Sequence, residues 1–135
     1  MQPFAGKATL VSAAVTNGPP PSMGTGWLDS FLSACAQLGC TVDAVAAHIY
    51  ADASDVSYFE SYISALAKYD MPVLMTEIGA SSGSAAEQDA LVSALVPFLD
   101  GLDFVSHYAW FMLADGSLVN SDGSLSALGS AYVSA

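Results

Sequence analysis

Four apolar, strand-like runs recur along the chain at a nearly constant interval. Their centres fall near residues 12, 46, 75 and 108, about one every 32 residues. Each run is followed by a stretch in which apolar residues keep a helical spacing. This interval is the size of a strand–helix–strand unit with parallel strands, and right-handed crossovers would place the helices outside the sheet. The sequence therefore predicts an α/β fold of four parallel strands alternating with helices.

The predicted strands cover residues 8–16, 41–50, 73–77 and 104–112, and the predicted helices cover residues 27–38, 56–69, 85–99 and 126–133. Gly39 is expected to end the first helix, and Ser84 with Glu87 forms a capping box for the third. Four such units are half of an eight-unit barrel, which takes about 250 residues. An open, doubly wound sheet is the alternative. In either case residues 1–135 are expected to form one domain, partial in the barrel case.

Glu77 stands at a special place in this pattern. It is the only charged residue of the third strand, and it comes just before Gly79 and a Ser-rich stretch that we expect to end the strand. The carboxyl ends of parallel strands are where α/β folds bind ligands and carry out chemistry. A Glu that simply points into solvent is the plain alternative.

Alternation along the strands predicts which side chains accompany Glu77 at this rim. The predicted polar and aromatic set is His48, Tyr50, Tyr108 and Trp110, with Asn17 at the end of the first strand. Val73 and Met75 are assigned to the same face as Glu77. Each member taken alone is more often a core residue than a ligand contact. Together they suit a sugar, because rings stack on its apolar faces while carboxylate, imidazole and amide groups bind its hydroxyls.

Composition narrows the range of partners. The chain has 13 acidic and two basic residues, for a formal net charge of −11. It would repel nucleic-acid phosphates and anionic membranes, so neither is an expected partner. No apolar run approaches the roughly 18 residues of a membrane span. No Gly-x-Gly-x-x-Gly follows a strand, and nothing calls for a metal or an organic cofactor.

Two further features concern the chain's environment. Cys35 and Cys40 flank the end of the first helix, where they form either a local disulfide or two buried thiols. Two cysteines alone do not make a structural zinc site. The first residues lack the charged-then-apolar order of a signal peptide, so the chain is expected either to stay in the cell as written or to begin inside a longer protein.

Several segments together resemble a known family, the β-1,3-glucanases of glycoside hydrolase family 128, also called the Asl1-like glycosyl hydrolase catalytic core. The segments are residues 10–18, 27–35, 39–43, 47–50, 72–79, 108–111 and 118–129. The resemblance runs in order over essentially the whole chain. It implies the carboxyl-terminal half of a (β/α)8 barrel and retaining hydrolysis of β-1,3-glucan by an extracellular or cell-wall protein.

The resemblance also implies roles for individual residues. Glu77 matches the family's nucleophile, His48 and Tyr50 match its His-x-Tyr pair, and Trp110 matches the aromatic residue of the last strand. Tyr108 and Asn17 are expected to contact substrate. The ligand implied is a β-glucan oligosaccharide or polysaccharide.

One family feature is missing. The acid/base Glu of the family lies in an Asn-Glu-Pro motif, which does not occur here. Asp52, Asp55 and Asp115 are on loops that could approach Glu77, but none matches a family catalytic position. The isolated chain is therefore either a hydrolase completed by its missing amino-terminal half or by a second copy, a non-catalytic glucan-binding module, or an inactive fragment.

Overall fold

The computed structural model describes residues 2–135 as three strands and four α-helices. The strands are β1 (Val45–Asp52), β2 (Val73–Ser82) and β3 (Val105–Trp110). The helices are α1 (Gly24–Gln37), α2 (Val56–Ala65), α3 (Ala85–Asp100) and α4 (Ala127–Ser134), with short 3-10 helices at Gln2–Phe4 and Leu66–Tyr69. The predicted elements are all present except the first strand, although several boundaries differ.

The sheet has the order β1-β2-β3, and both pairs of neighbouring strands are parallel. α2 connects β1 to β2 and α3 connects β2 to β3. This arrangement confirms the predicted α/β class and the parallel pairing. The strands are buried on the face that the helices cover, as their short apolar runs require.

Residues 8–16, predicted as the first strand, are extended but do not form a regular strand. Isolated parallel bridges join Val11 to Ala44, just before β1, and Val15 to Ala47 of β1. Side chains interrupt the ladder: the Ser12 hydroxyl accepts the Ala46 N–H at 3.0 Å, and the Asp43 carboxylate accepts the Leu10 N–H at 2.7 Å. The predicted count of four strands is therefore three strands and one bridged edge segment.

β2 carries one more residue than its neighbours require. Met75 pairs with Ala47 and Tyr108, yet the next paired residues are Glu77 with His48 and Ile78 with Trp110. The extra residue is accommodated around Thr76 as a β-bulge. Two β2 side chains before the bulge and one after it pack in the core: Val73, Met75 and Ile78. The bulge thus reverses the inward and outward alternation between Met75 and Ile78.

The apolar core lies between the sheet and all four helices. Val45, Ala47 and Ile49 of β1 are fully buried in it, as their alternation predicts. On the opposite face His107 and Ala109 of β3 are exposed. Helices covering one face differ from the doubly wound alternative, which places helices on both faces.

Local signals at the helix ends behave as predicted. Ser84 and Glu87 form the capping box of α3. Gly39, with φ of +66°, follows the end of α1, and Cys35 is joined to Cys40 by a disulfide. Within residues 2–135 no helix combines the length and the apolar character needed to cross a bilayer.

Candidate active site

Glu77, Tyr50 and His48 meet on the face of the sheet that the helices leave open. His48 and Glu77 are register partners across β1 and β2, and Tyr50 follows two residues later on β1. The Glu77 side chain is 31% exposed and the His48 side chain is 26% exposed, so both are accessible from solvent. β2 continues beyond Glu77 to Ser82, so the expectation that Gly79 ends this strand was wrong.

Tyr50 and His48 both contact the same carboxylate oxygen of Glu77, Oε2. The Tyr50 hydroxyl donates a hydrogen bond to Oε2 at 2.6 Å, and His48 Nδ1 lies 3.5 Å from the same oxygen. Over residues 2–135 the structure gives Oε1 no hydrogen bond. His48 Nε2 lies 2.9 Å from the Thr76 hydroxyl, which comes from the bulge. The carboxylate is therefore oriented through one oxygen while the other stays free.

The Tyr50 phenol is well suited to be the donor in this pair. Partial burial of the ring raises its pKa above the ordinary value of 10.0, and the hydrogen bond and negative charge of Glu77 raise it further. The phenol consequently keeps its proton at neutral pH. A charge-assisted hydrogen bond of this kind is short and strong.

The Tyr50 ring depends on space left by Gly79. A Cβ at residue 79 would lie 2.7 Å from Tyr50 Cε1 and 3.0 Å from Cδ1, closer than real Cβ atoms approach. Phe111 contacts the ring from another side, edge to face, with ring centroids 6.1 Å apart. Phe111 is 45% exposed, so it offers an aromatic surface beside the carboxylate.

Asn17 also lies in this cluster, but its amide is used within the chain. It bonds the backbone of Tyr50 in both directions, with its oxygen accepting the N–H at 3.2 Å and its nitrogen donating to the carbonyl at 3.0 Å. The nitrogen also donates to the Tyr58 hydroxyl at 3.1 Å. The structure thus places Asn17 next to Tyr50, as predicted from the strand ends, but its amide is occupied by the backbone of Tyr50.

Tyr108 and Trp110 lie on the other face of the sheet, contrary to the predicted grouping. The Tyr108 hydroxyl donates to Asp100 of α3 at 2.7 Å, and its ring meets Tyr132 of α4 edge to face. Trp110 is 8% exposed and belongs to the core. The bulge on β2 is the reason. It turns Glu77 to the face opposite Met75 and Ile78. Tyr108 and Trp110 pair with Met75 and Ile78, so they face the helices with them.

The nearby acidic loop residues have local partners. Asp52 accepts hydrogen bonds from the Ser54 and Ser82 hydroxyls, each at 2.6 Å, and from the Ser54 N–H at 3.0 Å. These bonds lower the pKa of Asp52 to about 2, so it is ionised at neutral pH. Asp55 caps α2. In residues 2–135 no group of three or more His, Cys, Asp or Glu side chains is arranged to hold a metal ion.

Comparison with known proteins shows which family this chain belongs to. The sequence matches the family model described as glycosyl hydrolase catalytic core over residues 1–132. The chain belongs to the glycosyl hydrolase catalytic core family. This confirms the resemblance drawn from the sequence segments.

The chain is also similar to individual proteins of known name or structure. Alkali-sensitive linkage protein 1 of Schizosaccharomyces pombe is 33% identical over 93% of the chain and 25% of its own length. A GH128 subgroup III curdlan-specific exo-β-1,3-glucanase from Blastomyces gilchristii, solved with glucose, is 36% identical with a TM-score of 0.88, over 100% of the chain and 58% of its own. A GH128 subgroup I endo-β-1,3-glucanase from Amycolatopsis mediterranei, solved with laminaritriose, is 33% identical with a TM-score of 0.80, over 95% and 58%.

The chain therefore spans little more than half the length of these solved family structures, and a quarter of the yeast protein. Three contributors to the candidate site were missed from sequence: Thr76, Gly79 and Phe111. A signal existed for Gly79, since a lone Gly in a strand pattern marks a bulge or a close approach. Phe111 could be placed only once the bulge on β2 was known.

Proposed function

We propose that this chain is the carboxyl-terminal half of a (β/α)8 barrel that hydrolyses β-1,3-glucan with retention, and that Glu77 is its nucleophile. The observation that carries the proposal is the contact geometry of Glu77, with Oε2 held by Tyr50 at 2.6 Å and Oε1 free. The names of the solved relatives, which are β-1,3-glucanases bound to glucose or laminaritriose, support the choice of substrate.

The first chemical step follows from this geometry. Oε1 of Glu77 supplies an electron pair to the anomeric carbon, the bond from that carbon to the glycosidic oxygen breaks, and a glycosyl ester forms. The departing oxygen takes a proton from a general acid. Water then attacks the anomeric carbon, gives its proton to the same group, which now acts as a base, and releases Glu77 as a carboxylate. Tyr50 keeps its proton throughout and holds the orientation of Glu77.

We assign the general acid to a carboxyl group outside this chain, supplied by a preceding segment of a longer protein or by a second copy. Retaining enzymes place their two carboxyl groups about 5 to 5.5 Å apart. Asp52, the acidic residue at the end of β1, is a poor proton donor because its pKa is lowered to about 2. General acid help contributes about 10² to 10⁴ in rate, so the chain alone is expected to be slow on natural glucan.

Substrate binding is assigned to the open face of the sheet. We assign contacts with sugar hydroxyls near the reacting carbon to His48 and Tyr50, and a stacking contact to Phe111, whose exposed ring meets Tyr50 edge to face. Neutral glucan is compatible with the net charge of −11. The Cys35–Cys40 disulfide supports an extracellular or cell-wall location, since such bonds persist in oxidising compartments.

The nucleophile can be tested without the missing acid. A 2-fluoro laminarioligosaccharide with a dinitrophenyl leaving group departs without protonation and leaves a long-lived glycosyl ester. We expect mass spectrometry to find one sugar adduct on the Glu77 peptide of the wild-type chain. The Glu77→Gln variant should carry none, and Glu60→Gln, a matched change on α2, should label normally.

An adduct on another residue, or equal labelling of Glu77→Gln, would show that Glu77 is not the nucleophile. Binding of laminaritriose without any adduct would favour a non-catalytic glucan-binding module instead.

A further inference from the structure

The edge of β1 is held by residues that alternate along the strand. The backbone N–H groups of Ala46, His48 and Tyr50 all point away from β2, toward the edge segment of residues 8–16 and the turn after it. The first is accepted by the Ser12 hydroxyl, the second by the Val15 carbonyl at 2.7 Å, and the third by the Asn17 side chain. The last isolated bridge lies at Val15, so Asn17 takes over where backbone pairing stops.

The orientation of the Asn17 amide is fixed by its partners. A backbone N–H can only donate and a carbonyl can only accept, so Oδ1 must face the N–H of Tyr50 and Nδ2 its carbonyl. The second Nδ2 proton goes to the Tyr58 hydroxyl of α2 at 3.1 Å. Asn17 therefore mimics the backbone of an adjacent strand for one residue pair.

Tyr50 is also the residue that touches the carboxylate. Its backbone is held by Asn17, its ring lies against Gly79, and its hydroxyl donates to Glu77. The hydroxyl is at the end of a rigid ring, so a displacement of the Tyr50 backbone moves the donor relative to Oε2. A hydrogen bond of 2.6 Å weakens steeply with such a displacement.

We propose that Asn17 is a positioning residue: it holds the β1 backbone at Tyr50 and thereby keeps the Tyr50 hydroxyl on Glu77. This role replaces the substrate contact expected for Asn17 from the sequence. It rests on the proposed function of Glu77 for its catalytic meaning, although the positioning itself can be measured without glucan.

The test is the Cζ signal of Tyr50 in ¹³C NMR at neutral pH, with Tyr50→Phe to assign it. The groups that face the phenol are the Glu77 carboxylate and, on the same oxygen, the His48 imidazole. In Asn17→Ala and in Asn17→Leu, which keeps most of the volume, this signal should move toward the position of an exposed tyrosine, because the phenol loses the carboxylate that accepts its proton. Tyr58→Phe, which removes one of the amide's partners, should give a smaller change.

Ser126→Ala is the control for general destabilisation. It removes the N-cap of α4, far along the chain from the site, and should leave the Tyr50 Cζ signal unchanged. A folded Asn17 variant with the wild-type signal would overturn the proposal. Loss of folding in both Asn17 variants would also overturn it, since Asn17 would then serve the fold alone. Failure of the glucan-labelling experiment together with a shifted Tyr50 signal in the Asn17 variants would reject the nucleophile and leave the positioning role supported.

Discussion

At the scale of single residues, the site is a carboxylate whose two oxygens have different surroundings. Oε2 of Glu77 is oriented by Tyr50 and lies near His48, while Oε1 has no hydrogen bond to residues 2–135. Small residues matter as much as the polar ones, because Gly79 leaves the space in which the Tyr50 ring lies. Two predictions test whether the hydroxyl and the space are both needed.

Tyr50→Phe should slow formation of the glycosyl ester by about 10- to 100-fold. The hydrogen bond from Tyr50 holds the carboxylate in its attacking orientation, and a misplacement of about 1 Å can cost about 10²-fold in rate. The measurement is the release of dinitrophenol in the first turnover. Tyr108→Phe is the matched control, because it also loses one hydroxyl but from the helix-covered face. Equal slowing in both variants would contradict the assignment of Tyr50.

Gly79→Ala should lower the free energy of unfolding by about 1 to 3 kcal/mol, the usual range for an overpacked core position. The added Cβ would meet the Tyr50 ring at 2.7 Å and push the hydroxyl from Glu77, so ester formation should slow as well. Urea unfolding and the same first-turnover assay measure the two effects. Gly101→Ala, where a Cβ would have neighbours no nearer than 3.4 Å, should change neither. A Gly79→Ala chain of normal stability and rate would refute this interpretation.

At the scale of the elements, strands β1 and β2 are joined by a side-chain hydrogen bond as well as by their backbone ladder. Asp52 at the end of β1 accepts a hydrogen bond from Ser82 at the end of β2. The disulfide closes the turn after α1 in a comparable way. The Asp52 link lies at the last register pair of β1 and β2 and the disulfide lies outside the sheet, and each gives a stability prediction.

The Asp52 link should make stability depend on acid pH. Its folded pKa of about 2 lies below the ordinary value of 3.8, so the carboxylate stabilises the fold above about pH 4 and this contribution is lost as pH falls toward 2. The wild-type urea midpoint should therefore decline more steeply than that of Asp52→Asn between pH 5 and pH 2. The other carboxyl groups are shared by both chains and cancel. Parallel curves would disprove the contribution of Asp52.

Reduction of the Cys35–Cys40 bond should cost about 2 kcal/mol of unfolding free energy. The two residues are 5 apart in sequence, and the chain-entropy relation gives this value for so short a loop. Urea unfolding with and without reductant measures the loss. The double variant Cys35→Ser/Cys40→Ser should not respond to reductant. A wild-type midpoint that ignores reductant would count against the prediction.

Sequence alone located the helices because their signals are local. The α3 capping box and the end of α1 at Gly39 need only a few neighbouring residues. It also brought His48, Tyr50 and Glu77 together, since ends of parallel strands share an edge. It misassigned Tyr108 and Trp110 because strict alternation cannot anticipate a bulge, which depends on pairing with strands about 30 residues away in the chain. The same nonlocal pairing decided that residues 8–16 stay irregular.

At the scale of the whole molecule, the sheet is asymmetric. β2 is bonded on both sides, β3 on one, and the edge segment only by isolated bridges and side chains. The helices cover one face of it, and relatives of known structure are longer chains of which this one covers about 58%. Stability is therefore expected to decline from the centre of the sheet outward.

Amide hydrogen exchange should follow that order. Amides of Val73–Ser82 should be the most protected, because their opening requires breaking two ladders, and amides of residues 8–16 should exchange orders of magnitude faster. Mass spectrometry of peptides after exchange gives the ranking, with the α3 peptides as an internal reference. Protection of residues 8–16 equal to that of β2 would mean that another partner covers this edge in solution.

The bulge at Thr76 has a consequence for anyone who moves this chemistry to another scaffold. Keeping this sequence but pairing it as regular strands would turn Glu77 to the core face, since residues two apart on a regular strand share a face and Met75 is buried. The transplant unit is therefore a stretch of irregular backbone together with its residues.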